Sequence, residues 1–153
     1  MNTRYTVRAI SAAEIDQAYV LVRLVDPYIG IEEWRDFCRD PCGAGRPSAA
    51  FSRRVLIAQG PRGYVHGVCV LEVAGTDGAA EAVNIPTFVV GSAADPDGVA
   101  VALLRALVAL CRETDCRRLR IWLPRGDQGA AATFGAASQA VAQDLKHLEL
   151  ELI

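Results

Sequence analysis

The stretch GSAADPDGVAVALLRALVALC, Gly91 to Cys111, decides how the chain is read. A turn-rich opening of small residues and aspartates runs straight into a long apolar segment. Asp95-Pro96-Asp97-Gly98 has the chemistry of a helix start. The aspartate carboxylate can accept from the first free amides, and proline suits the first helical position because its missing N–H is not needed there. The pattern predicts a helix from about Pro96 to Glu113. The first turn of such a helix carries unpaired N–H groups and the positive end of the helix dipole, which together attract an anion. Asp95 and Asp97 stand where a bound phosphate would sit. Either this corner cradles an anion, or the chain has filled it with its own carboxylates.

Working outward, RYTVRAI (Arg4 to Ile10) alternates with period two and predicts a strand. In SAAE, Ser11 and Glu14 have the spacing of a reciprocal helix cap, and Ile15, Ala18, Tyr19, Val22 and Val25 recur at helical spacing until Pro27. A second helix is predicted over Ile31–Arg39, with Trp34 and Phe37 read as core. DPCGAGRPSAAF has loop chemistry. RRVLIAQ, GPRG and YVHGVCVLEVA read as two strands joined by a tight turn, and Gly75 to Gly78 as another turn. Val83 to Val90 reads as a strand in which Pro86 requires a bulge or an edge. After the long helix come a strand in RRLRIWLP, a short helix in GDQGAAATFGAAS and a one-sided strand in KHLELELI. This order predicts a mixed α/β sheet with helices packed on its faces, and the segment between Val90 and Leu119 is long enough for a parallel crossover.

Composition bounds the function. The chain has 153 residues, enough for one domain with a sizeable core, and no linker or repeat divides it. A net charge of −2, with no basic block, argues against a nucleic-acid binder. The N-terminus has no secretory signal pattern and no apolar run is long enough for a bilayer, so the expectation is a cytoplasmic protein without membrane partners. The five cysteines lack zinc-site spacings, and reduced thiols acting as small hydrophobes are expected, with no metal.

YVHGVCVLEV and the quoted stretch carry a resemblance. Val90, Asp95, Gly98 and Ala100 fall, without a gap, at the spacings of the acyl-CoA segment of the GNAT N-acetyltransferase superfamily, and Gly67 stands where that family often has glycine. Downstream, Leu123, Asp127, Ala130 and Phe134 also match its spacing. The resemblance implies a GNAT-like domain over residues 1–153, with a mixed, mostly antiparallel twisted sheet and helices on both faces. It further implies acyl transfer from acetyl-CoA or another acyl-CoA to a small-molecule or peptide amine. Phe88, Val89 and Val90 would then hold the pantetheine arm, and Gly98, Val99 and Ala100 would face the pyrophosphate. Several side chains depart from the family pattern. Asp95 replaces an Arg or Gln, Asp127 replaces an asparagine, and Phe134 replaces the tyrosine that commonly protonates the departing thiolate.

The departure at Asp95 has a magnitude. The helix dipole favours an anion by about 0.3–1 kcal/mol. A carboxylate roughly 5 Å from one phosphate charge opposes it by about 3 kcal/mol at an effective dielectric near 20. Arg125 is a candidate compensator. Glu72 and Glu81 are candidate general bases and Tyr64 a candidate proton donor, while His66 reads as a packed strand histidine. A catalytically silent module of the same fold, binding another ligand or a protein, is the competing expectation. Arg105 and Arg112 lie on one stripe of the long helix with Val101 and Val108, and with the LELELI strand they suggest a homodimer.

Overall fold

A computed structural model describes residues 4–39, 51–76, 79–92, 94–123, 127–146 and 148–152; at 51–52, 74–76 and 79–81 only the backbone is described. The alternating segments form β1 (Thr6–Ala9), β2 (Phe51–Gln59), β3 (Val65–Thr76), β4 (Ala79–Val90), β5 (Arg118–Ile121) and β6 (Glu149–Leu152). The segments with helical period form α1 (Ile15–Val22), α2 (Ile31–Arg39), α3 (Pro96–Glu113) and α4 (Gln128–Ala140). Cys42 and most of the loop expected after α2 lie outside the described residues.

The six strands lie side by side in chain order. Strands β1 to β4 pair antiparallel, β5 joins β4 in parallel, and β6 joins β5 in parallel. Helix α3 is therefore the crossover expected from its length, and α4 is a second one. The α1 start differs from its expectation. Ser11 donates its hydroxyl to the Glu14 carboxylate instead of capping the helix, and α1 begins only at Ile15. Buried Glu14 is also ion-paired with Arg8 of β1, so the motif ties the first strand to the first helix.

Each sheet face has its own core. Leu103, Leu104 and Leu107 of α3 and Phe134 of α4 pack on Leu71, Ile85, Leu119 and Ile121. On the opposite face, Leu21, Val22 and Trp34 pack on Ile57, Val68, Val70 and Val89. The Trp34 indole N–H donates to the Ile15 carbonyl at 2.8 Å, which locks α2 against α1. Burying each of the large aliphatic side chains stabilises the fold by about 1.5–3 kcal/mol. The apolar surplus of α3 is absorbed within the chain, since Val108 is buried and Arg105 exposed. Strand β6 does lie at a sheet edge, with Leu152 exposed.

Helix α3 can seat this closely because of Gly67. A Cβ there would stand 2.7 Å from Val99 Cγ1 and 2.9 Å from Leu103 Cδ1. Burial also pushes the Cys69 thiol up to about 12, and burial, followed by the neighbouring Cys116, does the same to Cys111. Two measurements check this packing. Gly67→Ala should lower stability by about 1–3 kcal/mol, seen as a lower urea midpoint with an unchanged slope. Cys69 should resist alkylation in the native protein at mildly alkaline pH and react only on unfolding, because the thiolate is the nucleophile.

Candidate functional site

The site is organised by the place where β4 and β5 part. Their parallel register runs only from Val83 to Ile85, and its last link is the Trp122 N–H donating to the Ile85 carbonyl at 3.0 Å. Val70 opposes Thr87 but Glu72 opposes Asn84, so Ile85 and Pro86 together face Leu71. This is the bulge that Pro86 required, on an interior strand. Beyond it, among the described residues, β4 pairs with β3 alone. The Gly91 N–H donates to the His66 carbonyl at 2.8 Å, which makes those two a hydrogen-bonded pair. Antiparallel alternation then turns Val89 and Thr87 toward β3. It aims the N–H and C=O groups of Val90 and Phe88 at the gap that β5 has left.

Two clefts flank this free edge and share Phe88 and Leu123 in their walls. One, of about 250 Å³, lies on the α3–α4 side among Val90, Pro96, Asp127, Thr133 and Phe134. The other, of about 300 Å³, lies beyond the C-terminal end of α1 among Asp26, Pro86, Thr87 and Trp122. The ring of Phe134 is buried and meets Phe88 edge-on, with centroids 5.6 Å apart at 83°. The parting of parallel strands at their C-terminal ends is the usual crevice for ligands in such sheets.

Both helices that start at the first cleft are closed by their own acids. The Asp95 carboxylate accepts from the Gly98 N–H at 3.1 Å and from the Tyr5 hydroxyl at 2.9 Å, and Arg4 approaches it at 3.7 Å. A Cβ on Gly98 would fall 2.3 Å from that carboxylate, so glycine is needed here for Asp95 itself. The Val99 N–H is also occupied, by the Asp95 carbonyl at 3.3 Å. Asp127 caps α4 in the same way, accepting from the Ala130 N–H at 3.0 Å. Burial, and next the bond to Asp95, holds the Tyr5 phenol above its ordinary pKa, so it stays a donor.

The candidates from the sequence divide by place. Phe88, Val90 and Phe134 meet in one cleft, with Pro96, next to Asp95, at its rim. Val89 faces the opposite core, and Val99 and Ala100 are fully buried beneath the first turn of α3. Glu72 lies half-buried on β3, on the same face as Val70 and therefore as Thr87. Tyr64 is exposed in the β2–β3 turn, where its carbonyl accepts from Gly60, and it lines neither cleft. Glu81 lies in β4 with its side chain outside the description, and Arg125 lies outside the described residues. His66 packs edge-on against Tyr5, as a strand histidine should. Sequence reasoning missed Tyr5, Arg4, Asp26, Thr87 and Trp122. Only Trp122 left a signal, as the outward residue after Leu119 and Ile121 in an alternating strand.

This is the fold of the GNAT acetyltransferases. No protein-family model matches the sequence, and no curated protein matches it. Among solved structures, the chain is similar to AAC(6')-Iy in complex with the bisubstrate analogue CoA-S-monomethyl-acetylneamine, at 16% identity, with 99% of this chain and 95% of that one covered and a TM-score of 0.64. It is similar to the ribosomal-protein-alanine N-acetyltransferase of Brucella melitensis, at 13% identity, 91% and 89% coverage and a TM-score of 0.64. It is also similar to a transcriptional regulator from Bacillus halodurans, at 12% identity, 86% and 89% coverage and a TM-score of 0.63.

The self-made cap at Asp95 is testable apart from any ligand. Asp95→Ala should cost about 0.5–2 kcal/mol of stability, whereas Asp95→Asn, which can still accept from Gly98, should keep most of it. Thermal unfolding of the two variants beside the parent protein separates these outcomes.

Proposed function

We propose that the chain is an N-acyltransferase that moves an acyl group from a pantetheine thioester of the acyl-CoA class to an amine. The observation that carries this reading is the free edge of β4. Two N–H and two C=O groups, on Phe88 and Val90, face a gap beside an apolar ring wall. A pantetheine arm is a thin chain with amides along it. It would pair with such an edge as an added strand does, and backbone hydrogen bonds would set its register. The thioester would then reach the boundary at Phe88 between the two clefts, and the acceptor amine would come from the side of Asp26 and Trp122.

The chemistry is acyl transfer. The amine nitrogen attacks the thioester carbonyl, a C–N bond forms, the C–S bond breaks, and the proton lost by the amine balances the one gained by the thiol. We assign acceptance of that proton to Glu72 or Glu81, in keeping with the position of Glu72 on the Thr87 face of the sheet. Asp26 would hold a cationic acceptor, and the Trp122 ring beside it adds the attraction of its π face. Phe134 offers no hydroxyl, so the leaving thiolate would take its proton from water in the open gap. Tyr64 enters only if the β2–β3 turn moves toward the gap.

A second reading, a silent module of the same fold that binds another ligand or a protein, is favoured by the absence of a hydroxyl at Phe134 together with the two self-capped helices. A panel of amines incubated with acetyl thioesters, followed by mass spectrometry of the amide and assay of the free thiol, separates the readings. Amide and thiol in equal amounts support the enzyme, and thioester binding without turnover supports the module. Val90→Pro deletes one N–H at the free edge while leaving the ladder to β3 intact. It should weaken thioester binding about 2- to 10-fold in calorimetry. Glu72→Gln should lower kcat by about 100-fold or more if Glu72 is the base, without a matching change in thioester affinity.

A further inference from the structure

We infer that the donor is recognised through its pantetheine arm alone, and that the favoured donor is an acyl thioester on such an arm without a nucleotide diphosphate. This rests on the acyltransferase reading and specifies which carrier the cleft accepts. The arm's site is open, since among the described residues nothing pairs with the outer edge at Phe88 and Val90. The position a diphosphate would need, at the first turn of α3, is both filled and negatively charged. The Asp95 carboxylate covers the Cα of Gly98 and takes its N–H, while Asp95's own carbonyl takes the Val99 N–H. Tyr5, reaching over from just before β1, donates to the carboxylate and fixes it in place.

Charge acts in the same direction. Asp97 is exposed in the first turn of α3, and exposed Asp127 stands at the rim of the same cleft. Among the described residues, Arg4 offsets one of the three acids, Asp95. A diphosphate entering here would displace a made cap and meet carboxylates that no other described cation pairs with. A thioester whose arm ends in a hydroxyl, or in one phosphodiester to a protein, avoids most of that opposition.

Calorimetric titration of the full chain tests the inference with three probes: acetyl-CoA, S-acetylpantetheine, and a serine peptide carrying acetyl-phosphopantetheine. At least one diphosphate-free probe should bind as tightly as acetyl-CoA or more tightly, and the tighter of the two identifies a free or a tethered carrier. Acetyl-CoA binding should strengthen as salt is raised, because screening weakens repulsion, whereas an ordinary phosphate site loses affinity. Asp95→Ser, which retains a capping oxygen without the charge, should shift the affinity ratio toward acetyl-CoA by about tenfold or more. Asp127→Ser should shift it in the same direction, and supplies the test if the first variant folds poorly. Acetyl-CoA binding at least tenfold tighter than both other probes, and weakening with salt, would overturn the inference and leave the acyltransferase reading standing. Binding of none of the three probes would overturn both.

Discussion

The extra residue that β4 carries at Ile85 and Pro86 is the constraint on which the cleft depends. From Val83 to Ile85, just before that point, β4 is shared between β3 and β5. A proline has no N–H for a continuing ladder, and the bulge rotates the strand by one residue, so β5 cannot follow. What remains is a short run of strand with one edge paired and the other open. An open edge inside a fold carries a free-energy cost unless water or a ligand satisfies it.

The open edge of β4 and the start of α3 border one cleft, yet their backbone groups are answered differently. Helix α3 begins where the geometry demands, but its first amides are answered by Asp95, and Gly98 is glycine so that the carboxylate can lie against it. The cap stabilises α3, and α3 supplies most of the helical core on its sheet face. Stability and anion binding therefore compete for the same hydrogens. Tyr5 and Arg4 decide that competition by holding the carboxylate in place from the segment just before β1, Tyr5 ninety positions earlier in the chain.

The apolar wall has a similar double character. Phe88 and Phe134 pack edge to face and close the core beneath the gap. Phe134 brings no hydroxyl to that wall. The side facing Asp26 and Trp122 is more polar and more open.

The amino-acid order by itself determined the elements, because their signals are local. Alternation marked the strands, and the Asp-Pro-Asp-Gly start placed α3 at Pro96–Glu113. The capping contact to Gly98 was legible for the same reason, being three residues away. Pro86 announced a bulge or an edge because a missing N–H is a property of the residue itself, and the sheet order decided for the bulge. The tertiary structure alone decided what lies across space. It paired Tyr5 and Arg4 with Asp95, set Asp26 opposite Trp122, and left Tyr64 in a turn outside both clefts. It also turned the Ser11–Glu14 spacing, a plausible helix cap, into an anchor for Arg8, since a buried carboxylate is held by the nearest cation rather than by a motif. Local patterns fix backbone conformation through hydrogen bonds a few residues apart. Which side chain faces an open edge depends on strand order and register, and those are set only when the whole sheet closes over its two cores.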